Sequence, residues 1–337
     1  MTQYGSGETS ELDDIRQSEG IERCKAVFSD ACKSDTRRAV SLMNDGRLTF
    51  GCLYLILPVI TQFRLERYMS PRNMAALRTV RSIGEPKRQS GPDFSARNDT
   101  TRAALKWMLD TGRADDGLSD EYEEALEVAA SVLIVTYDEA DMLPAVVDMI
   151  FDRNREERNI HSLVWVVFQS KSPEALKRIA QRMRSPERRD VRLACSLLGI
   201  EMPEGASADD YRRQTEHYLQ WLEYNDPFLY FTGESFQYSS RPAFYSVDQE
   251  RRYIHRGTPF YDWQPVSPAD EGERAALAAF STLGAEQQAQ LSEYSHMLYS
   301  RDPAEWKAWV RRPIEEQVKS AKSNRGDSHD YGFRTFV

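Results

Sequence analysis

Apolar residues recur every three or four positions along most of this chain, the spacing that puts one buried stripe on an α-helix. Ile21, Cys24, Val27, Phe28 and Ala31 begin the series. Asp35 stands where it caps a second helix carrying Ala39, Val40 and Met43, and Asn44-Asp45-Gly46 reads as a turn. A third helix is expected over Leu48 to Tyr68, bent near Pro58, where the ring removes an amide donor and crowds the preceding turn. Ser70-Pro71 opens a fourth helix, to about Ile83.

The middle third repeats this pattern in shorter units. One helix is expected from Asp99 to Asp110, stopping at Gly112. Ser119 caps the next, whose stripe is Tyr122, Ala125, Leu126, Ala129 and Leu133. Residues 138–152 carry Met142, Leu143, Val146, Val147, Met149 and Ile150, and another stripe follows through Ile160, Leu163, Val164, Val167 and Phe168. Two further helices are expected to open on the same tripeptide, Ser172-Pro173-Glu174 and Ser185-Pro186-Glu187. Serine caps free amides, proline fits the first helical position, and glutamate favours the positive helix end. The second ends at Gly199, and a longer helix runs from about Ala208 to Tyr224 behind Ser207 or Asp209. Leu176-Ile179-Ala180 with Val191-Ala194-Cys195-Leu198 loosely echoes Val146-Met149-Ile150 with Ile160-Leu163-Val164-Val167, about 30 residues earlier. The stretch Gln181 to Ala194, with its turn leading into a second helix, resembles HEAT-like repeat proteins over roughly residues 120–200. The resemblance implies an all-α fold: an α-solenoid-like stack of helix pairs, with an irregular multi-helix bundle as the alternative.

Residues 226–266 break the pattern. Between Tyr218 and Trp263 lie fourteen of the thirty-six aromatics, amid Asp226-Pro227, Gly233, Arg241-Pro242, Gly257 and Thr258-Pro259. The segment is too aromatic for disorder and too broken for a long helix, so an ordered extended arm is expected, with a short hairpin pairing Phe228–Phe231 and Phe236–Tyr238. Helices resume after Ser267-Pro268: through Ala275–Leu283, through Gln287–Tyr299, and after Asp302-Pro303, where Trp306 and Trp309 share a face. The chain thus divides into a polar tail over 1–18, a helical region over 19–84, a linker over 85–98, helical repeats over 99–225, the aromatic arm over 226–266, C-terminal helices over 267–322 and a polar tail over 323–337.

Composition narrows the functional classes. Seventeen glycines and fifteen prolines in 337 residues argue against a many-turned β fold, and a net charge of −9 disfavours nucleic acid and anionic membranes. Lys177, Arg178, Arg182, Arg184, Arg188 and Arg189 cluster, but acidic neighbours make a solvated helical face the expectation. Cys24, Cys32, Cys52 and Cys195 lack metal-ligand spacing and suit reduced thiols in a cytosol; Cys24 and Cys32 fall on one helical face. Met1 to Glu8 has neither the basic start nor the apolar core of a signal peptide. The apolar run Phe50 to Ile60 is too short to span a bilayer.

No catalytic motif emerges. The five histidines, His161, His217, His255, His296 and His329, form no metal or nucleophile pattern, and no metal or cofactor site is read. Thr232-Gly233-Glu234-Ser235 reads as a turn, and Glu216, His217 and Glu223 as a solvated face rather than an acid–base set. Asp13-Asp14, Asp115-Asp116 and Asp209-Asp210 lack the ligand alternation of a calcium loop. The candidate binding residues are the arm aromatics Phe228, Tyr230, Phe231, Phe236, Tyr238, Phe244 and Tyr245. Intramolecular packing is their first reading, a protein-binding surface the second, and base stacking beside Arg241, Arg251, Arg252 and Arg256 the third. Trp221, Phe228, Phe231 and Phe236 are expected as anchors, with the tyrosines nearer the rim. The expected function is a non-catalytic scaffold or adaptor binding a protein partner through a helical-repeat surface. The alternatives are a structural subunit of a larger assembly and an enzyme on a HEAT-like scaffold. Some HEAT-like proteins are DNA glycosylases, which implies a basic groove that this acidic chain does not announce.

Overall fold

The computed structural model describes residues 9–83, 98–203, 205–236, 238–239, 242–257 and 270–323. Of these residues 74% are helical, and the one sheet among them has two strands, so the fold is all-α. The chain forms two compact units, Met1–Met149 and Ile150–Val337, which divide the expected repeat region over 99–225. The expected linker lies outside the described residues except for Asn98, and the C-terminal tail except for Ser323.

The first unit contains α1 (Glu11–Glu19), α2 (Ile21–Ser34), α3 (Thr36–Met43), α4 (Phe50–Gln62), α5 (Pro71–Ile83), α6 (Asp99–Gly112) and α7 (Asp120–Ser131). The expected tail over 1–18 is therefore helical from Glu11. Ser10 accepts a hydrogen bond from the Asp13 amide, and the acids that look like a solvated tail form the first turn, where the helix dipole favours them. Asp35 and Ser119 cap α3 and α7 as expected. The expected helix to Tyr68 stops at Gln62 instead. Arg64 takes φ 55°, and the Leu65 amide donates to the Ile60 carbonyl, closing the helix before a short 3-10 turn at Glu66–Tyr68. Pro58 stays inside α4. At the core Phe50 stacks on Tyr122 with centroids 5.0 Å apart, and the Tyr122 hydroxyl donates to the Gly112 carbonyl at 2.9 Å. A Cβ on Gly112 would lie 2.7 Å from that hydroxyl and 2.8 Å from the Phe50 ring, so only glycine lets α6 come this close.

After α8 (Leu143–Arg155), the second unit runs through α9 (His161–Gln169), α10 (Pro173–Gln181), α11 (Arg188–Leu198) and α12 (Ala208–Asn225). A hairpin of β1 (Leu229–Phe231) and β2 (Tyr245–Val247) leads to α13 (Gln249–Tyr253), α14 (Glu271–Phe280), α15 (Ala285–Arg301), α16 (Pro303–Trp309) and α17 (Ile314–Ser323). α10 packs on α11 and α12, and α15 on α13, α16 and α17. Tyr253, Phe280, Leu291, Leu298 and Trp309 form the core of the C-terminal helices, and the Tyr253 and Phe280 rings stack at 4.3 Å.

Two expectations about this unit need correction. The second tripeptide does not open its helix: α11 begins at Arg188, because Ser185 and Glu187 stay extended and the Ser185 hydroxyl donates to Asp190 at 2.9 Å. The hairpin pairs Leu229 with Val247 and Phe231 with Tyr245, antiparallel, not with Phe236–Tyr238. Phe244 and Val247 are 2% and 4% exposed, whereas Tyr238 is 83% exposed, so burial selects the later strand. The loop is tied by Thr232 Oγ1 donating to the Ala243 carbonyl and the Ala243 amide donating to Glu234 at 2.8 Å.

Candidate functional site: an arginine-lined cleft

The α10–α11 turn, α11 and the start of α12 enclose a half-open cleft of about 830 Å³. Among the described residues, Arg184, Arg188, Arg192 and Arg212 line it with a single carboxylate, Asp209, over apolar surface from Met183, Val191 and Tyr211. Its walls are fixed by buried polar contacts. Asp190, wholly buried in the first turn of α11, receives Arg155 Nε and Nη2 at 3.0 and 3.1 Å as well as the Ser185 hydroxyl. That two-pronged bond ties α11 to the end of α8. Gly199, at φ 65°, ends α11, and a capping box of Ser207 and Asp210 starts α12. Hydrogen bonds from Ser207 hold the Asp210 carboxyl down at about 2.

The guanidiniums differ in their partners. Arg184 reaches Glu216 at 3.3 Å and Arg212 reaches Asp209 at 3.2 Å, both in exposed pairs. Arg188 and Arg192 are exposed and, among the described residues, take no ion pair or hydrogen bond. They stand four apart on one helix, where like charges repel, and Arg188 adds a cation at the positive end of that helix. Local stability opposes this arrangement, and an anion in the cleft would relieve it. The basic cluster read as a solvated face thus contributes Arg184 and Arg188 here, whereas Arg182 lies over the Phe151 ring at 5.0 Å.

Of the arm aromatics, Phe228 and Phe244 are buried, Tyr230, Phe231, Phe236 and Tyr245 half-buried, and Tyr238 exposed. Phe244 stacks on Phe168 at 4.1 Å, Phe236 meets Phe244 at 5.4 Å and His161 at 5.5 Å, and the Tyr245 and Tyr218 hydroxyls lie 2.6 Å apart. The anchors are Phe228 and Phe244 with the tyrosines Tyr218 and Tyr253, while Trp221, Phe231 and Phe236 stay half-buried. Arg241 and Trp263 lie outside the described residues.

A buried polar cluster escaped the sequence reading. Arg252, 2% exposed, donates to Asn225 at 2.8 Å, Glu293 at 2.5 Å, Gln249 at 3.0 Å and Ser292 at 2.9 Å. Beside it the His296 ring stands 5.2 Å from His255 and 5.0 Å from Phe228, and Nε2 meets the Tyr224 carbonyl at 3.0 Å. Burial, then the neighbouring His255, pushes His296 down to about 4. Glu216, His217 and Glu223 are all exposed on α12, and Glu216 is engaged by Arg184. Among the described residues no group of three or more His, Cys, Asp or Glu is placed to hold a metal ion, and no helix is long and apolar enough to cross a membrane.

No family model, no curated protein and no solved structure matches this chain.

Proposed function

We propose that this chain is a non-catalytic adaptor that holds an acidic segment of a protein partner in the cleft of Arg184, Arg188, Arg192 and Arg212. The observation that carries the reading is the concentration of four guanidiniums around about 830 Å³ on a chain whose net charge is −9. Guanidinium forks bind carboxylates two-pronged, and a part-apolar floor suits peptide side chains between the acids. Under the HEAT-like reading, α10 and α11 are one helix pair and the cleft is the groove beside it.

A basic groove is also what a nucleic-acid enzyme on a helical scaffold requires. The peptide reading is preferred because nucleic acid needs a long positive track and exposed stacking rings. Here the arm aromatics mostly pack on the chain itself, and the cleft is short. Among the described residues five large apolar side chains, Ile21, Tyr68, Val135, Trp165 and Tyr238, are exposed, no two on the same element, and scattered exposure of this kind carries no partner argument.

The test is fluorescence anisotropy of a labelled glutamate-rich peptide titrated with the full chain. Arg188→Glu with Arg192→Glu is expected to weaken binding at least about tenfold, and added salt to weaken the native complex. Equal affinity of the native and doubly substituted chains would overturn the reading. Tighter binding of single-stranded oligonucleotide than of peptide would reassign the cleft to nucleic acid.

A further inference from the structure

We propose that Cys24 and Cys52 are a modification site, a thiol pair that peroxide converts to an intramolecular disulfide, with α1 as the cover that controls its access. The sulfurs belong to α2 and α4, which pack together, and stand 3.7 Å apart. That is van der Waals contact, one side-chain adjustment from a bond of about 2.05 Å. All four cysteines are free, and Cys24 and Cys52 are wholly buried. Among the described residues neither Cys32 nor Cys195 contacts another thiol, and burial pushes both of those thiols up. Cys24 is lowered, because a thiolate there receives the Cys52 S–H; burial and Asp13 oppose that charge, and Arg16 favours it. Cys52 is raised by the same bond and by burial, so it keeps its proton.

The chemistry balances with peroxide as the oxidant. The Cys24 thiolate attacks one peroxide oxygen, the O–O bond breaks, and with one proton taken up a water leaves, giving a sulfenic acid. The Cys52 sulfur then attacks the Cys24 sulfur, the S–O bond breaks, and the hydroxyl departs as a second water with the Cys52 proton. Two thiols have lost two electrons and two protons, and peroxide has taken them up to become two waters.

Access depends on α1, which packs on both α2 and α4. It is nine residues long, and Ser10, Leu12 and Asp13 bury its inner face. Asp13 accepts from the Thr49 amide at 3.0 Å and hydroxyl at 2.6 Å, and Arg16 pairs with Asp115 at 2.9 Å. That ion pair lies against Gly51: a Cβ there would be 1.9 Å from the Asp115 carboxylate and 3.0 Å from Arg16. So short a helix opens locally at far less cost than the whole unit.

The experiment treats the reduced full-length protein with hydrogen peroxide, blocks free thiols under denaturing conditions, and maps peptides by mass spectrometry. The expected product carries one Cys24–Cys52 bond, with Cys32 and Cys195 still alkylated. Ser10→Ala removes the α1 cap and the hydrogen bond its hydroxyl donates to Asp13 while keeping the Asp13 and Arg16 side chains, and is expected to speed bond formation about fivefold through easier opening. A product in which all four thiols alkylate, in which Cys24 is overoxidised without linking to Cys52, or in which the bond involves Cys32 would overturn the proposal. An unchanged rate in folded Ser10→Ala would overturn the role of α1.

Discussion

Three buried polar side chains, Asp13, Arg252 and His296, carry more of this molecule than their sequence surroundings suggest. Asp13 joins α1 to α4 through Thr49. Asp13→Ala leaves the Thr49 amide and hydroxyl without their acceptor, and is expected to cost about 2–4 kcal/mol in urea unfolding, with Asp13→Asn costing less. His296 gives a pH signature. Its folded-state value is about 4 against an ordinary 6.5, so between those values the unfolded chain binds more protons. Stability is complete above about pH 6.5 and falls as pH drops through this window, by on the order of 3 kcal/mol in total. Denaturant midpoints at pH 7 and pH 5 check this: the native chain is expected to lose more stability than His296→Gln, and an equal loss would contradict it. The local chemistry of caps was legible, as Asp35, Ser119 and Ser207 show, because a cap involves neighbours two or three residues away. Arg252 was not: its partners Asn225, Ser292 and Glu293 lie 27 to 41 residues distant. The Cys24–Cys52 contact spans 28 residues and was hidden for the same reason.

Among the elements, helices were read well where the apolar stripe and a cap agreed, as in α3 and α7. They were misread where a backbone turn decides the end. Arg64 at positive φ stops α4 with no glycine to announce it. Strand pairing in the arm failed for another reason. Either Phe236–Tyr238 or Tyr245–Val247 supplies aromatic residues, and only burial on the rest of the unit distinguishes them. That burial ranks the rings. Phe244→Ala is expected to destabilise by roughly 3–5 kcal/mol, the scale of a truncated core aromatic, because it loses the stack on Phe168. Tyr238→Ala, at 83% exposed, is expected to stay within about 0.5 kcal/mol. Thermal unfolding of the two variants side by side checks the order, and a larger loss from Tyr238→Ala would contradict it.

For the whole molecule, the all-α class followed from periodicity and from the scarcity of glycine and proline. The cleft did not follow. Net charge averages over the surface, whereas a binding site depends on where a few charges converge. Arg184, Arg188 and Arg192 recur at four-residue spacing, a signal present in the sequence but offset there by Glu187 and Asp190. Folding buries Asp190 against Arg155 and leaves the arginines facing the cleft with Arg212. Hydrogen–deuterium exchange of the full chain, with and without saturating glutamate-rich peptide, tests this placement directly. The account predicts slowed exchange confined to residues 183–192 and 205–212, and loss of that protection in Arg188→Glu with Arg192→Glu. Protection centred on the aromatic arm, or the same pattern in the doubly substituted chain, would contradict it.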